Sequence, residues 1–96
     1  MSYNANTALD LVKARKERAG VDTPAPLVSY WTQRIAAAAA ELESKGIILE
    51  DTVGDNSLVA DLAVERINNR DNPKHDPEWL RTMIRERWFH QTRQTT

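Results

Sequence analysis

The chain has 96 residues, a formal net charge of −1 and no cysteine. That length points to one domain. The charge excludes a polycation built for nucleic acid, and the missing thiols exclude disulfides and zinc–thiolate sites. No apolar run approaches the roughly 18 residues of a membrane span, and residues 1–6 lack a signal-peptide pattern, so assembly in a cytoplasm is expected. A domain this small buries only about 60–65% of its unfolded surface. Helix packing, the three tryptophans or neighbouring copies must therefore stabilise it.

The charge is unevenly spread. Residues 1–20 hold four basic and two acidic side chains, residues 21–65 two and eight, and residues 66–96 seven and four. An acidic middle lies between two basic ends. Two readings follow: pairing between helices of one chain, or a head-to-tail contact between copies.

Residues 1–6 read as a flexible arm, and the first helix is expected over 7–18. Thr7 caps it, with Asp10 near its positive end, and Gly20 stops it. Its apolar face is thin (Ala8, Leu9, Leu11, Val12). Its last turns carry Lys13, Arg15, Lys16 and Arg18, either a basic patch or a solvated end that complements the helix dipole. This helix is expected to pack loosely or reach outward, with the second, third and fourth helices forming the core.

Residues 21–26 form a turn around Pro24 and Pro26. The second helix is expected over 25–45, ending at Gly46. Leu27, Trp31, Ile35, Ala38 and Leu42 make one apolar stripe at helical spacing. Glu41 and Lys45 are spaced to pair. At 1.5 Å per residue this helix spans about 30 Å, the diameter of a small domain. The alanine run 36–40 is either helix-forming filler or a flat face for close packing. Residues 46–49 (GIIL) read as a short extended cover over the core, and 50–56 as an acidic loop.

The third helix is expected over 56–69, capped by Asp55 or Asn56. Leu58, Val59, Leu62, Ala63 and Ile67 form its buried face. The fourth is expected over 77–90, with Asp76 as cap, Pro77 in the first position and Glu78 in the first turn. Leu80, Met83, Ile84 and Trp88 form its apolar face, with Trp79 to one side. Residues 91–96 read as a polar tail. The sum is an all-α, four-helix bundle-like domain around a long second helix.

Nothing in the pattern suggests an enzyme, a metal or a cofactor. His75 and His90 lack ligand spacing, the glycines are scattered singly, and Asp61 and Glu65 are one turn apart on a solvated face. A helix-turn-helix would need a shorter connection than 70–76. Arg66 and Arg70, and Arg81 and Arg85, are like charges four apart, which costs a few tenths of a kcal/mol per pair. Such spacing implies an acidic counter-surface, within the chain or on a partner. Six of the seven basic residues after Glu65 are arginine, the type suited to bidentate carboxylate pairing.

The run DNSLVADLAVERINNRDNPKHDPEWLRTMIRERWF resembles the end of the small head–tail connector (adaptor) proteins of tailed phages. The matching positions are Leu58, Asp61, Ala63, Arg66, Arg70, Asp71, Pro77, Leu80, Arg81 and Arg87. The LVKARKERAG segment and the long helix ending in LESKGIIL are similar in placement to that family's first two helices. This chain departs from the family in lacking aromatics on the third helix and in its alanine run.

The resemblance implies a virion protein of the neck. It forms a homo-oligomeric ring, typically of twelve copies, beneath the portal protein, extends the DNA channel without reading sequence, and receives a downstream neck or tail-completion protein. Trp88, Phe89, His90 and Arg93, with Arg66, Arg70, Arg81 and Arg85, are the expected portal or neighbour contacts. Two other classes fit the residues: a small DNA-binding packaging or regulatory protein, and an antitoxin-like or chaperone-like interaction subunit.

Overall fold

In the computed structural model the described residues are 3–16, 23–69 and 76–95, with side chains as far as Gln91. They form four helices: α1 (Ala5–Arg15), α2 (Ala25–Ser44), α3 (Val53–Asn68) and α4 (Glu78–Thr95). No strand occurs among the described residues. The molecule measures 45 × 28 × 18 Å, so its thinnest dimension is about two helix diameters.

The buried face of α2 is the predicted stripe. Trp31, Ile35, Ala38, Ala39 and Leu42 are buried, while Ala36, Ala37 and Ala40 are exposed. Two alanines of the run therefore pack inside the chain, where their small side chains admit α3. From α3 come Leu58, Val59, Ala60, Leu62 and Ala63. Ala8 and Val12 of α1 are fully buried in the same cluster. This corrects the expectation of a loose first helix. Two small side chains let α1 lie close against α3 and α2, and charge fastens it there. Arg15 pairs with Asp61 at 2.5 Å, and Lys16 Nζ donates to Asn68 Oδ1 at 2.7 Å. The core is thus α1, α2 and α3, and α4 is the peripheral helix.

The helix ends differ from the expected ones by a few residues, for identifiable reasons. α1 begins at Ala5, capped by Asn4, whose Oδ1 accepts from the Thr7 amide at 3.1 Å. Asn4 N in turn donates to Asn56 Oδ1 at 2.8 Å, and Asn56 Nδ2 donates to Asp51 Oδ1 at 3.0 Å. Tyr3 packs on the core, and burial with Glu43 nearby pushes its phenol pKa up. Residues 3–6 are consequently tied down rather than an arm.

Thr52, not Asp55 or Asn56, caps α3, its Oγ1 accepting from Asp55 N at 3.1 Å. α4 does not stop at His90 but continues to Thr95, which makes most of the expected tail helical. Gly20 and the 70–75 connection, with Arg70, Asp71 and His75, lie outside the described residues.

Between α2 and α3, residues 47–50 are neither helix nor strand. Ile47 and Leu49 are buried and Ile48 is exposed, the alternation of a single strand laid over a core. Gly46 starts this segment at φ +92°, a left-handed conformation that favours glycine. A Cβ there would also sit 3.3 Å from Trp88 Nε1. The glycine therefore ends α2 and lets α4 come close.

Candidate assembly surface

Polar side chains do much of the work of holding α4 on the core. Only Leu80 of its apolar face is fully buried, and Met83 and Ile84 are partly so. Three latches supplement them. At the start, Arg66 of α3 reaches both Asp76 and Glu41, meeting Glu41 with Nη2 at 2.5 Å from Oε2 and Nε at 3.1 Å from Oε1. In the middle, Arg87 pairs with buried Asp55 at 2.6 and 3.0 Å and donates to the Ile48 carbonyl at 2.9 Å. Toward the end, Gln91 accepts from Ile48 N at 2.7 Å and donates to the Gly46 carbonyl at 2.8 Å.

These latches are electrostatically settled. Hydrogen bonds that Arg66 donates to Asp76 and then Glu41 hold its guanidinium well above the ordinary range, and the Arg66 contact lowers the Asp76 pKa. At Asp55 burial works against ionisation, but the Arg87 guanidinium and the Glu50 N–H together outweigh it, and the pKa is lowered. Asp55 accepts that N–H at 2.9 Å. The predicted Glu41–Lys45 pair does not form, because Arg66 takes the Glu41 carboxylate.

The acidic middle and basic ends thus meet inside one chain at Arg15–Asp61, Arg66–Glu41 and Arg87–Asp55. Arg66, one of the expected contacts, is engaged within the chain by Glu41 and Asp76. Trp88, Phe89 and His90 are exposed on α4. Trp88 and Phe89 meet edge to face, with ring centroids 5.3 Å apart. Arg81 and Arg85 are exposed too and make no ion pair among the described residues. Arg93 lies on the last turn of α4, and its side chain is outside the described set.

Exposed apolar surface gathers on and beside α4. Trp79 is 52% exposed, Trp88 39%, Phe89 47%, Ile48 60% and Val53 85%. Of these, Trp88 and Phe89 are in contact, and adjoining large apolar side chains at a surface mark contact sites. A shallow hollow of about 320 Å³ adjoins them, lined by Gly54, Asp55, Leu58, Met83, Glu86, Arg87 and His90. No group of metal-ligating side chains occurs among the described residues.

Sequence reasoning missed three members of this arrangement. Asp55 looks like a helix cap, Gln91 like tail, and Gly46 like a helix stop alone. The available signals were an Asp after a Thr-Val-Gly run that already offers a cap, and Gln91 at the spacing of Leu80, Ile84 and Arg87. No protein-family model, curated protein or solved structure matches the chain.

Proposed function

We propose that the chain is a structural adaptor subunit of a tailed-phage neck, a copy in a ring beneath the portal that joins head to tail. The observation that carries this reading is α4, a peripheral helix latched to a three-helix core and bearing exposed Trp88 and Phe89 beside Arg81 and Arg85, which make no ion pair among the described residues. Aromatics and arginine are the side chains that anchor interfaces. The sequence resemblance supplies the identity of the partner. Repetition around a ring lets each subunit contact be weak, because multivalency raises the total affinity.

The test is docking to a portal ring from the same genome. The Trp88→Ala/Phe89→Ala chain is expected to lose at least tenfold in affinity while keeping its helix content. Truncation after Ile84 is expected to abolish docking. A truncated chain that still folds and docks as well as the full chain would refute the proposal. Tight duplex DNA binding that weakens steeply with salt would favour the packaging-protein reading instead.

A further inference from the structure

The two flanks of α4 carry opposite charge. At about 100° per residue, Arg81, Arg85 and Trp88 lie to one side of the inward seam marked by Leu80 and Arg87, and Trp79, Glu86 and His90 lie to the other. The tertiary contacts agree with that division. Trp88 sits against Gly46, next to exposed Lys45, and both Lys45 and Arg81 act on the Asp76 carboxyl. On the opposite flank, Glu86 and His90 line the hollow with Gly54, and a contiguous hollow adds Glu50 and Thr52.

One flank therefore offers aromatic rings in a net cationic setting: Trp88, met edge to face by Phe89 from the outermost line of the helix, among Lys45, Arg81 and Arg85, with the Glu78 carboxylate about 20° from Arg85 on the same count. The other offers apolar surface among carboxylates: Trp79 and Val53 with Glu50 and Glu86. Glu50, Glu86, Arg81 and Arg85 are all exposed, and none has an ion-pair partner among the described residues.

We propose that these flanks bind each other between copies, the cationic aromatic flank of one chain seated on the acidic flank of the next. Two different surfaces in contact make a heterologous interface, which repeats in one direction and closes into a ring when the rotation permits. A two-fold dimer through either flank would oppose like charges, so the charge pattern selects the head-to-tail pairing. The inference deepens the adaptor reading by naming the subunit contact and rests on that reading for its ring form only.

The chain has no cysteine, so single-cysteine chains report the contact directly. An equal mixture of Phe89→Cys and Val53→Cys chains is expected to form the mixed disulfide at least fivefold faster than either chain pairs with itself. Arg81→Glu/Arg85→Glu in the first chain should remove that excess. Adding Glu50→Lys/Glu86→Lys to the second should restore it, because the charges are then exchanged rather than opposed. Equal rates, a Phe89→Cys chain that pairs fastest with itself, or rates indifferent to charge reversal would overturn the contact. Reversals that abolish duplex DNA binding and leave the disulfide rates unchanged would overturn it as well. The free chain is used throughout, so failure here with portal docking intact refutes the subunit contact and leaves the adaptor reading standing.

Discussion

Replacing Leu62 by alanine should destabilise the fold by about 3–5 kcal/mol, the usual cost of emptying a leucine site that cannot collapse. Leu62 is fully buried on α3, the helix that α1, α2 and α4 all touch. Ala38, Ala39, Ala60 and Ala63 belong to the same buried cluster, and short side chains cannot swing into an emptied space. A domain of this size has about 5–15 kcal/mol in total. The melting temperature should fall by roughly 12–40 °C, at about 4–8 °C per kcal/mol. Ile48→Ala, on an exposed side chain, should stay within about 0.5 kcal/mol of the parent. Paired urea and thermal unfolding curves check both, and a Leu62→Ala loss no greater than that of Ile48→Ala would show that α3 is not the centre of the core.

The second expected result concerns α4 alone. Asp55→Ala removes the carboxylate that holds Arg87 and the acceptor of the Glu50 N–H. Leaving such groups unpaired costs about 1–3 kcal/mol. Local opening draws first on the least secured element, and among the described side chains α4 buries one fully where α2 and α3 bury several. Hydrogen exchange should therefore speed up by at least tenfold across 78–91, while amides of 53–68 keep most of their protection.

Acid should do the same to the parent chain. The folded-state carboxyl pKa values of Asp55 and Asp76 are both lowered. Their contribution is fully present above the ordinary carboxylate pKa of about 3.9 and is lost as pH falls through the lowered folded values. Exchange in α4 that stays flat from pH 7 to pH 2, after correction for intrinsic rates, would contradict the latch account.

Much of this architecture was legible in the residues because helix periodicity is a local property. The stripe Trp31–Ile35–Ala38–Leu42 gave α2 to within a residue of its observed end, and Leu58, Val59, Leu62 and Ala63 gave the inner face of α3. Helix starts were less legible, because several residues near each start qualify as caps. At α3 the chain offers Thr52, Asp55 and Asn56, and only the demand of Arg87, 32 residues away in sequence, decides that Asp55 has another task. α1 was underrated because Ala8 and Val12 are small, and small residues give a weak periodic signal even when fully buried.

The candidate surface was partly visible. The excess of arginine on the last helix pointed to carboxylate partners, yet the residues alone cannot sort the latches from the surface cations. The fold sends Arg66 and Arg87 inward and leaves Arg81 and Arg85 outside. Trp88 is divided between the two roles, seated against Gly46 on one edge and exposed on the other.

The central claim is that this chain is an adaptor subunit whose α4 faces other proteins in the assembled neck. The most direct measurement is a reconstruction of the assembled particle containing this chain. The account predicts a ring of copies beneath the portal, with the α4 segment 78–91 of each copy lying in protein–protein contacts. A particle that lacks the chain, or a ring in which 78–91 faces solvent on every copy, would contradict it.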